Sequence, residues 1–369
     1  MPFPSRYPII CVMMDKETTT HMSVGVLGGG AFGTALAKRI VENGGKAQLW
    51  CHDKETADNI NKHHENKLFL PDVALPEALT ADTDVVKVAE GKDLLLLVTP
   101  SKFLLDIARK LITIPSVAEG KSIISCATKG FVFDKDGKPE FIVTALENYL
   151  PGFYKGNLVY ISGPSHAEEL GRGKLTALIA ASANGKNSIA VRNTLNSKSL
   201  RIFPSLDVIG VQISGAVKNV IAIAFGAIEA YTEGSDFLGD NAESFLLASG
   251  LNEMMMLGRA MGATHPETFT SIAGIGDLDV TCRSVHGRNR RFGRAIINDN
   301  ILKDFKNIDD LAERVVGKIG YLPEGVFAAI AVHHFIQQYT LKLPIFQTLY
   351  AILDRRVEPI PALQKLMDF

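Results

Sequence analysis

From residue 23 to about residue 206 the apolar positions come in short runs, and after Pro204 they recur at three- and four-residue steps. The runs Ser23-Val-Gly-Val-Leu27, Ala47-Gln-Leu-Trp50, Asp93-Leu-Leu-Leu-Leu-Val98, Lys121-Ser-Ile-Ile-Ser-Cys126, Asn157-Leu-Val-Tyr-Ile161, Thr176-Ala-Leu-Ile-Ala-Ala181 and Leu200-Arg-Ile-Phe203 read as strands with helices between them. The unbroken apolar character of residues 93–98 is that of a strand covered on both faces, as in a parallel sheet. The pattern divides the chain into residues 22–206, built on a sheet, and residues 207–369, all helical, with Asp207 as the cap of the first long helix. In that helix Ile213, Val217, Val220, Ile221, Ala224 and Phe225 surround a single cation, Lys218, which has no acid within a turn on either side. Such a lysine either extends its head to water or is held where its charge is costly and its proton labile.

The first strand runs into Gly28-Gly-Gly-Ala-Phe-Gly33 and then a helix, Thr34-Ala-Leu-Ala-Lys-Arg-Ile-Val41. Gly28, Gly30 and Gly33 fall on the G-x-G-x-x-G spacing, which gives a tight turn, close backbone approach to a pyrophosphate and close strand–helix packing. In strand–turn–helix context this predicts a dinucleotide site on a Rossmann-like, doubly wound α/β domain. After the second strand the sequence reads Trp50-Cys-His-Asp53, which puts Asp53 a residue or two late for the ribose, while His52 and Lys54 can face a 2′-phosphate; NAD and NADP both stay open. Ligands of open parallel sheets bind outside the carboxyl ends of the strands, so Pro100-Ser101, Lys129 and Gly163-Pro-Ser165 are expected at the same edge as the glycine turn.

Composition adds exclusions. Lys plus Arg (39) nearly balances Asp plus Glu (40), so charge gives no reason to expect nucleic acid or an anionic membrane. Cys11, Cys51, Cys126 and Cys282 lack C-x-x-C spacing and are expected to be unpaired thiols of a reducing compartment. The pairs His63-His64 and His333-His334 lack metal-ligand spacing, so no metal is expected. No apolar run reaches the roughly 18 residues of a membrane span. Residues 1–21 show no periodicity and are expected to be a disordered extension, with Met22 as the functional start. The methionines of residues 246–257 read as core filler. Arg288, Arg290 and Arg291 beside Asn289 offer planar guanidinium groups for bidentate recognition of phosphate.

Six motifs together carry a resemblance: Gly28-Gly-Gly-Ala-Phe-Gly-Thr-Ala-Leu-Ala37, Ala127-Thr-Lys-Gly130, Ser162-Gly-Pro-Ser-His-Ala-Glu-Glu169, Gly215-Ala-Val-Lys-Asn-Val-Ile-Ala-Ile-Ala224, Ala273-Gly-Ile-Gly-Asp-Leu278 and Arg288-Asn-Arg-Arg-Phe-Gly293. In this order the chain resembles the NAD(P)-dependent sn-glycerol-3-phosphate dehydrogenases of bacterial type. The resemblance implies an all-α C-terminal domain like that of 6-phosphogluconate dehydrogenase, a cytoplasmic homodimer, and reversible reduction of dihydroxyacetone phosphate to sn-glycerol 3-phosphate for phospholipid synthesis. It implies Lys218 as proton donor and acceptor, with Lys129 and Asp277 beside it. Lys129, Gly163, Ser165, Lys218, Asp277, Arg288 and Asn289 then line the substrate. Gly28, Gly30, Ala31, Phe32, Gly33, His52, Pro100, Lys129, Ala167, Arg288 and Glu324 then line NAD or NADP. Departures include Phe32 for a common tryptophan, Gln212 for a frequent glutamate, Tyr321-Leu-Pro-Glu-Gly325 around Glu324, and a longer loop over residues 231–240. Two alternatives stay open at this stage: a related hydroxyacid dehydrogenase, in which the arginines grip a carboxylate, and a non-catalytic NAD(P)-binding protein.

Overall fold

The structure is a computed structural model that describes residues 22–233, 239–285 and 287–367. The extension over residues 1–21, Cys11 with it, and the middle of the 231–240 loop lie outside the described residues. The strands are β1 (Ser23–Leu27), β2 (Lys46–Trp50), β3 (Glu65–Asn66), β4 (Leu70–Ala74), β5 (Thr80–Asp82), β6 (Leu94–Leu97), β7 (Ile123–Cys126), β8 (Phe131–Phe133), β9 (Pro139–Phe141), β10 (Val159–Ser162), β11 (Thr176–Ala181) and β12 (Leu200–Ser205). The helices that shape the site are α1 (Ala31–Glu42), α2 (Lys54–His63), α3 (Ile142–Tyr149), α4 (Ala167–Gly171), α5 (Val208–Thr232), α6 (Asp240–Ala260), α7 (Asp277–Arg283), α8 (Arg288–Asn298), α9 (Glu324–Tyr339) and α10 (Pro344–Leu353).

Eight strands form one sheet in the order β12-β11-β10-β7-β6-β1-β2-β5. It is parallel except where β11 runs antiparallel to β10, and β12 follows β11. The four leucines of β6 are buried at the centre, and apolar cores cover both faces of the sheet. Since β1, β6, β7 and β10 are mutually parallel, the glycine turn, Pro100, Lys129 and Gly163 follow strand ends at one edge, while β11 and β12 end at the other. Two small hairpins, β3–β4 and β8–β9, and the edge strand β5 are not foreseen by the pattern because runs of two or three residues are too short to show a period.

The third core lies among the helices and is built around α5. No unbroken apolar run spans a membrane, but by length and average α5 (25 residues, mean hydropathy 1.7 over its most apolar window) is apolar enough to; 89% of that window is buried inside the protein. Glycines let neighbours approach it closely. A Cβ added at Gly293 of α8 would stand 2.0 Å from the Ile223 carbonyl oxygen, and one at Gly226 of α5 equally close to that of Arg290. Asp207 caps α5 through Gly210 N–H (3.0 Å) and also accepts from the Thr268 hydroxyl (2.7 Å). Buried Gln212 accepts from Val143 N–H (2.9 Å) at the start of α3, which gives the uncommon residue at this position a structural task. From the sheet side, Phe131 and Phe141 of the β8–β9 hairpin pack on Phe335 of α9, the first tilted and the second stacked, with centroids 5.4 and 6.4 Å away. The methionines of α6 are not all core: Met254 is buried, but Met256 is 41% exposed, because successive residues on a helix turn by about 100°.

Glu253 of α6 is buried and accepts from the first amides of α10, Ile345 N–H (2.8 Å) and Phe346 N–H (3.2 Å). Burial outweighs these bonds and pushes its carboxyl up to about 7. A folded-state pKa above the unfolded value means that the native protein binds the extra proton, so this contribution to stability is present below the ordinary glutamate range and is lost as pH rises through about 7. Glu253→Gln is expected to flatten that fall by on the order of 3 kcal/mol. Denaturant unfolding at several pH values checks it; an unchanged pH slope contradicts it.

Candidate active site

Three charged groups meet where α5 passes the carboxyl edge of the sheet. A π-helical turn, Ile272–Gly276, delivers Asp277 to the start of α7, and Gly274 permits the turn because a Cβ there would stand 1.9 Å from the Phe269 carbonyl oxygen. Asp277 is fully buried. Its Oδ1 is ion-paired with Lys218 Nζ, and its Oδ2 takes Lys129 Nζ at 2.8 Å and the Ser162 hydroxyl at 3.4 Å. Lys218 also donates to Thr281 Oγ1 (2.8 Å), whose hydroxyl donates to the Asp277 carbonyl (2.6 Å). Lys129 donates a second bond to the Gly163 carbonyl (3.0 Å), which the Ser165 hydroxyl also reaches (3.0 Å). Gly163 has φ +139°, a conformation suited to glycine, and so turns its carbonyl toward the lysine.

One carboxylate thus serves two ammonium groups. Burial disfavours the Asp277 carboxylate, yet Lys129 and Lys218 more than offset this and hold it below the usual range. Burial is also the largest influence on Lys218; Asp277 opposes it, the charge of Lys129 adds to it, and the net effect lowers the ammonium to about 7. The two directions look at odds for an ion pair. They agree once the trio is counted as a whole, since two cations and one anion leave an excess positive charge. Burial bears hardest on Lys218, whose side chain is 7% exposed against 18% for Lys129.

The glycine turn follows β1. Gly28 has φ +141° and packs on the Val98 carbonyl, and a Cβ at Gly33 would strike the Gly28 carbonyl oxygen at 1.9 Å. A Cβ at Gly30 would meet nothing within 4 Å, and no side chain caps α1 there, so the helix opens on space with unclaimed amides. That arrangement fits a dinucleotide pyrophosphate. Asn66, buried in β3, braces the turn from behind: its Nδ2 donates to the Gly29 carbonyl (2.9 Å) and to Thr34 Oγ1 (2.8 Å). Asp53 caps α2 through Thr56 N–H (2.7 Å), while His52 beside it is exposed.

Comparison with known proteins gives these features a family. The models described as NAD-dependent glycerol-3-phosphate dehydrogenase N-terminus and C-terminus match residues 23–188 and 207–364. The chain belongs to this family. It is 48% identical over 350 residues to glycerol-3-phosphate dehydrogenase (NAD(P)+) of Treponema denticola, covering 94% of this chain and 98% of that protein. It is 36% identical over 345 residues to the protein of the same name from Bacillus velezensis, covering 93% of each. The crystal structure of glycerol-3-phosphate dehydrogenase from Coxiella burnetii superposes with a TM-score of 0.79 at 30% identity, covering 94% of this chain and 99% of that one.

The other residues that family resemblance singles out are dispersed around this centre. Ala31 and Phe32 open α1, Ala167 opens α4, exposed Pro100 lies at the end of the β6 loop, and Glu324 is the first residue of α9. Arg288 is exposed at the start of α8. Helical turning separates Arg290 from the other two arginines, whereas Arg288 and Arg291, three residues apart, share a face and both bear on Tyr321. Arg290 pairs with Glu229 of α5, with Nε at 2.9 Å, and Arg291 lies over the Tyr321 ring at 4.6 Å. Asn289 is buried and bonded into the scaffold, donating to Asn219 Oδ1 (2.9 Å) and accepting from Gly325 N–H (2.9 Å). It joins α5, α8 and α9, so one N–H of its amide remains for a ligand. Among the described residues no group of three His, Cys, Asp or Glu is placed to hold a metal, and Cys51, Cys126 and Cys282 are buried free thiols.

Thr281, Ser162 and Asn66 were not singled out from the sequence. Thr281 was legible, since it stands four residues after Asp277 and therefore on the same helical face. Ser162 and Asn66 act only across the fold. Asn66→Ala is expected to leave the Gly29 carbonyl with only the long bond from the Thr34 hydroxyl (3.3 Å) and to weaken dinucleotide binding about tenfold, by the roughly 1–2 kcal/mol of buried hydrogen bonds lost. Calorimetric titration with NADH and NADPH checks this, and an unchanged Kd for both contradicts it.

Proposed function

We propose that this chain catalyses the reversible NAD(P)H-dependent reduction of dihydroxyacetone phosphate to sn-glycerol 3-phosphate, and that Lys218 is its general acid and base. The observation that carries the reading is the buried Lys218–Asp277–Lys129 trio at the edge of the sheet that also bears the glycine turn. A reduced nicotinamide dinucleotide, bound at the glycine turn, supplies the hydride. The chain's own residues do the rest. Charged Lys218 donates its proton to the ketone oxygen as the carbon is reduced, and the neutral amine that remains is held by Asp277 and Thr281. Lys129, less buried, turns its ammonium toward the developing alkoxide. In the oxidative direction neutral Lys218 takes the hydroxyl proton. Arg288, exposed at the start of α8, is the proposed phosphate grip, with the remaining amide hydrogen of Asn289 beside it. Supply of glycerol phosphate to phospholipid synthesis, a cytoplasmic location and a homodimer belong to the same reading. They rest on the family, and light scattering tests the last.

Lys218→Met is expected to lower kcat by two to four orders of magnitude with cofactor binding intact, the usual worth of positioned proton transfer. The pH dependence has a defined sign. Reduction needs the ammonium, so kcat/KM for dihydroxyacetone phosphate falls as pH rises through about 7, and oxidation of glycerol phosphate rises over the same window. Initial rates in both directions check this; parallel rather than opposed profiles contradict it. Arg288→Lys is expected to raise KM for dihydroxyacetone phosphate about tenfold with little change in kcat, because an ammonium lacks the bidentate fork. An unchanged KM would remove Arg288 from the site.

A further inference from the structure

Asp277 reaches Lys218 with one oxygen and is anchored by the other, and the anchor comes from the end of β10. Ser162, 1% exposed, is the last residue of that strand and points its hydroxyl at Asp277 Oδ2 (3.4 Å), the oxygen that Lys129 also holds at 2.8 Å. The next residue, Gly163, receives the second bond of Lys129, so the strand end fixes both the acid and one of its bases. Gly215, three residues before Lys218 on α5, covers Ser162: a Cβ there would lie 2.6 Å from Ser162 Oγ. The hydroxyl is thereby confined between α5 and the carboxylate. No other hydroxyl among the described residues bonds the Asp277 carboxylate; buried Tyr160, on the same strand face, has no partner for its own hydroxyl.

Resting on the reading of Lys218 as the proton donor, we infer that Ser162 is a positioning residue for the reaction, which holds the Asp277 carboxylate and limits how tightly that carboxylate retains the proton of Lys218. The hydroxyl donates to Oδ2 and draws electron density from the acid, so Oδ1 is a weaker acceptor for the ammonium. The groups that bear on Lys218 are Asp277 and Thr281 from α7, Lys129 from the loop after β7, and the neighbouring Cys282 thiol; the Tyr160 hydroxyl lies in the field of Asp277 and Glu324. With Lys129 still in place, loss of the hydroxyl leaves the carboxylate oriented but more basic, and Lys218 holds its proton to higher pH.

The test is kcat/KM for dihydroxyacetone phosphate against pH in the full chain, for the wild type, Ser162→Ala, Gly215→Ala and Lys218→Met. Ser162→Ala is expected to move the alkaline limb up by about half a pH unit, the effect of one long hydrogen bond to a charged acceptor. Its KM at neutral pH should stay within about twofold of the wild type, which separates a shifted proton affinity from a lost contact to substrate. Gly215→Ala, which keeps the hydroxyl but presses a methyl group against it, is expected to move the limb the same way. A Ser162→Ala limb that stays in place or moves down, whatever the loss of rate, overturns the inference and leaves Lys218 as the proton donor. A limb that persists unchanged in Lys218→Met overturns both.

Discussion

A single buried carboxylate, shared by two lysines that approach it from different parts of the fold, is the constraint on which the rest of the structure depends. Asp277 alone in this position would be costly to ionise, and the two lysines together offset that cost. With both present the trio carries one positive charge more than it can neutralise. Burial disfavours the Lys218 ammonium most and the excess charge adds to it, so the group gives up its proton near neutral pH; the same excess favours a negative oxygen arriving beside it.

The architecture can be understood as the means of bringing these three groups together. Lys218 needs a helix that stays rigid and dry, and α5 provides one because the glycines at 226, 293 and 325 let α8 and α9 close on its backbone. Asp277 needs a sharp delivery, which the π-helical turn supplies. Lys129 belongs to the sheet, and the aromatic contact of the β8–β9 hairpin with α9 ties its loop to the helical layer. The glycine turn, braced by Asn66, lies at the same edge.

Much of this was legible in the sequence. The parallel strands and the helical second half follow from apolar spacing, and the glycine spacing marks the turn. The unusual lysine was visible as a charge without a local partner. Its partner, Asp277, came only with the family resemblance and not from spacing, because it stands 59 residues away and only tertiary packing joins them. The reversal of β11 was hidden, since a buried strand reads the same in either direction. The sequence could not show that Arg290 is taken up by Glu229 or that Arg291 lies over the Tyr321 ring. Asn289 could not be read as a strut between three helices from a motif that shows only its neighbours.

The most direct measurement is the titration of Lys218 itself, followed by NMR of protein carrying ε-13C-labelled lysine, with the Lys218→Met protein to assign its signal. The account predicts one lysine resonance that titrates close to neutrality, about 7, and is absent from the variant. A Lys218 resonance that titrates with the surface lysines, near 10.4, would contradict it.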